Sequence, residues 1–110
     1  AFDESEPAND EAAAFIKGFR EYLRAEKQDE SIPAVSALGY DAYLAAIKAI
    51  EAADSTDPAA ICQALSSVVV EGATGTITFN ETGDANKNLA FIKVIRDGRF
   101  QFLTTSTISR

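Results

Sequence analysis

A chain of 110 residues that is 46% hydrophobic and 25% charged has the length and composition of one folded globular domain and not of a disordered segment. Its net charge of −7 disfavours nucleic acid and anionic membrane surfaces as partners, since both attract clustered Lys and Arg. No apolar run approaches the ~20 residues of a membrane-spanning helix.

The start of the chain is acidic, and residues 1 to 9 are expected to be extended and solvated. The sequence contains no Met and opens on no basic-then-apolar leader. Either a leader has been removed or the chain is a piece of a longer protein, and we favour a piece.

The first two predicted helices follow from apolar residues at helical spacing. The first covers residues 10 to 28, with Asn9 or Asp10 as its N-cap. The second covers residues 36 to 53 and is rich in Ala, so we expect other elements to pack on more than one of its sides. Gly39 lies inside it and costs up to ~1 kcal/mol relative to Ala, which suggests tight packing or a late helix start.

A third helix is predicted over residues 57 to 66. Asp57 suits the N-cap and Pro58 the first helical position, where its missing N–H is no loss. Cys62 is the single cysteine, and it is expected to be a small buried side chain of this helix.

The pattern then changes to the period of two that is typical of strands. Strands are predicted over residues 75 to 79, 89 to 96 and 99 to 105, the last two joined by the hairpin signal Asp97-Gly98. The segment "NETGD", residues 80 to 84, has oxygen ligands around a Gly, but it lacks the spacing of an EF-hand loop. We therefore expect a plain turn there and not a calcium site.

The residues that usually carry catalysis are scarce. The chain has no His, so Ser-His-Asp and Cys-His nucleophile systems are excluded within it. A Ser-Lys arrangement stays open, although no motif points to one. "GATG" lacks the length and the Lys of a phosphate-binding loop. We expect no enzyme activity, no cofactor and no metal site.

Four segments in register resemble the C-terminal third of bacterial extracytoplasmic solute-binding proteins of the branched-chain amino acid type. They are "FIKGFREYL", "ALGYDAYLAAIKAIEAA", "TDPAAICQAL" and "GATGTITFNETGD". The resemblance spans about residues 10 to 100. In such proteins the last segment is scaffold, and Gly72, Gly75 and Gly83 would supply positive φ or close approach.

The resemblance implies an α/β fold: three helices followed by strands and a C-terminal β-hairpin, as the C-terminal part of a two-lobed, Venus-flytrap periplasmic binding protein. Such a receptor has roughly three times this many residues. It closes on a small polar solute, such as an amino acid, and delivers it to a membrane ABC permease. The implied location is extracytoplasmic, in the periplasm or as a lipoprotein on the cell surface.

The resemblance also implies which residues face the ligand. The cleft-facing position falls near Val35, with Ser36 beside it and Tyr40 in the following turn. Val35 and Ser36 have an equally good interpretation as loop and cap residues. Tyr40 and Tyr43 suit core positions in which the hydroxyl reaches a partner.

Two other functions remain open at this point. A ligand-sensing ectodomain of a signalling receptor would show the same motifs. A self-standing α+β interaction module would instead be a monomer with a complete core. A receptor fragment would expose apolar area to be covered by the missing lobe or by self-association of the chain. The identity of the ligand is not encoded in these segments.

Overall fold

The computed structural model describes residues 1–87 and 89–107. Helices precede strands, as the sequence predicts, but the short strands β1 and β3 were not foreseen. None of the described helices is long and apolar enough to cross a membrane. The elements, in chain order, are α1 (Asp10–Ala25), α2 (Ala34–Ala53), α3 (Pro58–Leu65), β1 (Val70–Gly72), β2 (Gly75–Phe79), β3 (Ala85–Asn86), β4 (Leu89–Arg96) and β5 (Arg99–Thr107).

Helix α1 is held at its start by Asn9. The Asn9 Oδ1 accepts a hydrogen bond from the Ala12 N–H at 2.7 Å, and its Nδ2 donates to the Gly72 carbonyl at 2.9 Å. One side chain thus caps the helix and ties it to β1. The helix ends at Ala25 and not near residue 28, because Lys27 adopts a positive φ of 56°, which breaks the helical backbone.

Helix α2 begins at Ala34, two residues earlier than predicted. Pro33 is the N-cap residue with an extended backbone, and the helical conformation begins directly after it. The expectation of tight packing or a late start at Gly39 is wrong. A Cβ built on Gly39 would have no atom within 4 Å.

Helix α3 begins as predicted, with Pro58 at the first position and the Asp57 carboxylate accepting from the Ala60 N–H at 3.3 Å. Its Cys62 is exposed, so the expectation of a buried thiol is wrong. The helix is only eight residues long, and it turns Ile61 and Leu65 toward α2 and the sheet, which leaves the Cys62 side in solvent.

Residues 1 to 9 were predicted to be solvated, but the first of them are partly or fully buried. Phe2 and Asp3 are buried, and the Phe2 ring meets Phe15 edge-on at a centroid distance of 5.9 Å. The Ala1 backbone nitrogen donates to the Thr74 carbonyl at 2.7 Å. Three residues are too few for periodicity to reveal burial, so composition alone gave the wrong expectation here.

The strands form two separate antiparallel sheets. The first has the order β1-β2-β3, with Val70 opposite Ile77 in β1 and β2. The second is the β4-β5 hairpin, whose register shifts at Ile92/Lys93. Asp97 and Gly98 both have positive φ, 53° and 73°, as a type I′ turn requires, so the predicted hairpin turn is confirmed.

Two apolar clusters stabilise the part of the molecule that precedes the hairpin, which we call the body (residues 1–87). Helix α2 contributes to both clusters, and no hairpin residue contributes to either. The first contains Phe2, Ala12, Phe15, Ile16, Leu23, Ile32, Ala37 and Ala73. The second contains Ala45, Ala49, Val68, Val70 and Ile77.

A buried carboxylate lies on α2 between the residues of these clusters. Asp41 is only 2% exposed, and it accepts from the Ala73 N–H at 2.7 Å, the Thr74 N–H at 2.8 Å and the Thr74 hydroxyl at 2.5 Å. A Cβ on Gly72 would lie 2.5 Å from this carboxyl group. Asp41 therefore fixes the turn that joins β1 to β2.

The predicted roles of the three glycines are confirmed. Gly72 is required by the close approach of the Asp41 carboxyl group. Gly75 and Gly83 have positive φ values of 110° and 87°, which glycine adopts without steric cost.

Candidate functional site

The three residues expected to face a ligand lie in the first two turns of α2. Pro33 supplies no side-chain cap, and the Ser36 N–H donates to the Pro33 carbonyl at 3.0 Å. Val35 is 70% exposed and Ser36 is half-buried. The free end of the helix therefore presents Val35 to solvent.

Tyr40 points away from Val35, toward α1. Its ring packs on Phe15 at a centroid distance of 4.8 Å, and its hydroxyl donates a short hydrogen bond to the Glu11 carboxylate. That bond, followed by partial burial, raises the pKa of Tyr40 to about 12. Ser36 and Tyr40 are one turn apart and share a helix face, whereas Val35 lies on another. The core interpretation of Tyr40 fits these contacts, whereas Tyr43 is exposed.

A groove of about 860 Å³ adjoins the start of α2. It separates the N-terminal segment and the loop before α2 from the β4-β5 hairpin. Its polar and apolar lining residues are Asp3, Glu4, Ser5, Ile32, Pro33, Ala34, Lys93, Arg99, Phe100, Gln101 and Phe102. A groove with aromatic walls and a few charged groups suits a small polar solute bound without covalent chemistry.

The carboxylates of the groove have partners. The Asp3 carboxylate meets the Lys93 ammonium at 3.1 Å and accepts from the Ser5 N–H at 2.9 Å and the Ser5 hydroxyl at 2.5 Å. Burial opposes ionisation of Asp3, but the bonds from Ser5 and Lys93 outweigh it, so the pKa of Asp3 lies below its ordinary value. This pair was not predictable from the sequence, because Asp3 and Lys93 lie far apart in the chain.

The Glu4 carboxylate also has hydrogen-bond partners, although residues 1 to 9 were predicted to be solvated. Its carboxylate accepts from the Arg20 guanidinium at 3.1 Å and from the Ile32 N–H at 2.9 Å. These bonds tie the N-terminal segment to α1 and to the loop before α2, which fixes one wall of the groove.

The "NETGD" segment uses its own oxygen atoms. Asn80 Oδ1 accepts from the Thr82 N–H at 3.0 Å, the Thr82 hydroxyl at 2.7 Å and the Asp84 N–H at 2.9 Å. Within residues 1–87 and 89–107, no group of three His, Cys, Asp or Glu side chains is placed to hold a metal ion. The segment is built as an Asx-type turn.

The profile of a family described as periplasmic binding protein matches residues 1–99. The chain belongs to this family. Its members are solute-binding proteins and not a family of enzymes.

The fold agrees with that assignment. The structure of a leucine-binding protein, LivK, from Thermotoga maritima superposes with a TM-score of 0.76 at 28% sequence identity. The superposition covers 96% of this chain and 29% of the LivK chain. No match was found among curated proteins. The resemblance to solute-binding proteins of the branched-chain amino acid type is thus confirmed, and the chain spans under a third of the length of the LivK chain.

Proposed function

We propose that the chain is the C-terminal part of an extracytoplasmic receptor that binds an amino acid or a similar small polar solute and delivers it to a membrane ABC permease. The observation that carries the proposal is the superposition of nearly the whole chain on a leucine-binding protein, of which it covers only 29%. On this proposal, about two-thirds of the receptor and most of its cleft lie outside the chain.

The outer face of α2 supports this assignment. Val35, Leu38, Tyr43, Ile47 and Ile50 of this helix are large apolar side chains that are exposed in the chain. Several large apolar side chains left exposed on one helix indicate a surface that another part of the protein covers. The remainder of the receptor would cover this face, whereas a self-standing interaction module would have had to cover it alone.

The groove beside α2 supports a ligand contact in this region. Val35 follows directly on Pro33 and Ala34, which line the groove, and its side chain is free of contacts that would bury it. On this proposal Val35 and Ser36 contribute to the cleft, while Tyr40 stabilises the helix from the α1 side.

The experiment uses the natural gene product that contains this segment. Its intact mass by mass spectrometry is expected to be near three times that of this chain. Its thermal unfolding is then measured with a panel of leucine, isoleucine, valine, glutamine and phenylacetate. A solute at a hundredfold excess over its Kd stabilises the folded state by about 2.7 kcal/mol, which is readily seen as a higher Tm.

A variant pair tests the contribution of Val35. Val35→Glu should weaken binding of the stabilising solute at least tenfold, because a carboxylate would enter the cleft. Tyr22→Glu, which changes an exposed residue of α1, should leave binding unchanged. A gene product that is this chain alone, is monomeric and responds to no member of the panel would contradict the proposed function.

A further inference from the structure

The β4-β5 hairpin is attached to the body differently from every other element. It contributes no residue to either apolar cluster and does not pair with the three-stranded sheet. Among residues 1–87 and 89–107, the only ion pair between hairpin and body joins Lys93 to Asp3. The orientation of the hairpin therefore depends on few contacts.

The Asp3 side of this pair is fixed in place. Phe2, the residue before Asp3, is buried in the first cluster. Both hydrogen bonds from Ser5 go to Asp3 Oδ1. That leaves Asp3 Oδ2 for the Lys93 ammonium. The Asp3 side chain is 8% exposed and that of Lys93 is 29% exposed, so solvent screens this pair less than it screens a surface pair.

Lys93 lies at a position of the hairpin from which its side chain reaches Asp3. Lys93 lies at the register shift of β4, opposite Phe102, and both residues line the groove. A shift of register increases the local twist of a strand and redirects its side chains. The Lys93 ammonium reaches the body at the point where the hairpin wall and the N-terminal wall of the groove meet.

We infer that Lys93 is a positioning residue: its ion pair with Asp3 holds the hairpin against the body and so sets the width of the groove beside the start of α2. This inference rests on the proposed function in one respect, that the groove belongs to the solute cleft. The hairpin would then be the movable wall of that cleft, and the ion pair would select one of its orientations.

The test measures the distance between hairpin and body by pulsed electron paramagnetic resonance in the natural gene product that contains this segment, with any cysteine outside the segment replaced by Ser. Cys62 is the single cysteine of these 110 residues and is exposed on α3, so it takes the first spin label. Thr104→Cys places the second on an exposed position of β5. A single narrow distance distribution is expected for this doubly labelled protein.

Three further variants separate the effect of the Lys93 charge from that of its packing. Lys93→Met removes the charge but keeps most of the side chain, and it should broaden the distribution toward longer distances. Lys93→Arg should restore the narrow distribution, which a role in packing alone would not require. Arg96→Met removes one positive charge from the same strand and is the matched control, expected to leave the distribution unchanged.

Two results would overturn the inference: a broad distribution in the chain with native Lys93, or a Lys93→Met distribution that equals that of Arg96→Met. If Lys93→Met unfolds, which circular dichroism reveals, a second variant replaces it. Asp3→Asn removes the other charge of the pair at nearly constant volume, and its Oδ1 can keep the bonds from Ser5, so it should also broaden the distribution. An unchanged distribution in Asp3→Asn would then overturn the inference. The distance needs no solute, so it can succeed or fail independently of the binding panel.

Discussion

Replacing Asp41 by Asn tests the most buried polar contact of the molecule at nearly constant volume. The carboxylate accepts three hydrogen bonds, and such bonds to a charged group contribute about 1.5–3 kcal/mol each. The amide oxygen of Asn can keep both bonds from Thr74, at the lower strength of a neutral acceptor. Its NH₂ group would then face the N–H of Ala73, and a buried donor without an acceptor costs about 1–3 kcal/mol.

The expected loss for Asp41→Asn is therefore about 3 kcal/mol of the free energy of unfolding. A domain of ordinary stability, about 5–15 kcal/mol, would still fold and could be measured. Urea denaturation followed by circular dichroism gives this difference, provided that the m-value stays constant. Asp57→Asn is the matched control, because Asp57 is exposed, its side chain accepts one hydrogen bond of 3.3 Å, and Asn is an equally good N-cap. A loss below about 1 kcal/mol for Asp41→Asn would refute the assignment of Asp41 as the residue that fixes the β1-β2 turn.

Three further predictions concern backbone space and titration. Gly72→Ala should destabilise the chain by about 1–3 kcal/mol, because its Cβ would strike a buried carboxyl group, whereas Gly18→Ala, with nothing within 4 Å, should stabilise α1 by up to ~1 kcal/mol; urea denaturation of both variants measures this, and equal effects would contradict it. The stabilisation from ionised Asp3 is present above its ordinary pKa of 3.8 and is lost as the pH falls through its lowered folded pKa, so the distance between the spin labels should lengthen only in acid. A distance that already lengthens between pH ~7 and pH ~5 would contradict this. The raised pKa of Tyr40 makes its contribution complete below pH ~10 and lost as the pH rises toward about 12. Ultraviolet titration should show a step near pH 12 that disappears in Tyr40→Phe. If the step remained in Tyr40→Phe, it would not belong to Tyr40, and a raised pKa caused by Glu11 would be contradicted.

Features that depend on local sequence were predictable. Asp57 with Pro58 marks the start of α3, and Asp97 with Gly98 forms the turn of the hairpin. In each case a few adjacent residues determine the backbone, because capping and tight turns depend on local geometry.

Features that depend on tertiary contacts were not predictable. β1 has only three residues and is defined by pairing with β2, so its sequence shows no periodicity that would predict it. Burial of Phe2 and exposure of Cys62 depend on which surface the neighbouring elements cover. The same holds for the candidate site: its position at the start of α2 was predictable from a family resemblance, but the pairing of Asp3 with Lys93 was not.

The contacts of the N-terminal segment impose an order on folding. The Ala1 backbone nitrogen and the Asn9 side chain donate to carbonyls in the β1-β2 region that are 73 and 63 residues away. During synthesis helix α1 therefore emerges long before the residues that complete its attachment exist. The hairpin, by contrast, closes through neighbours in sequence, and such hairpins form within about 1–10 μs. The hairpin can thus form without the rest of the chain, while α1 must wait for the β1-β2 region, and Asn9→Ala should slow the acquisition of the native body more than it slows the hairpin.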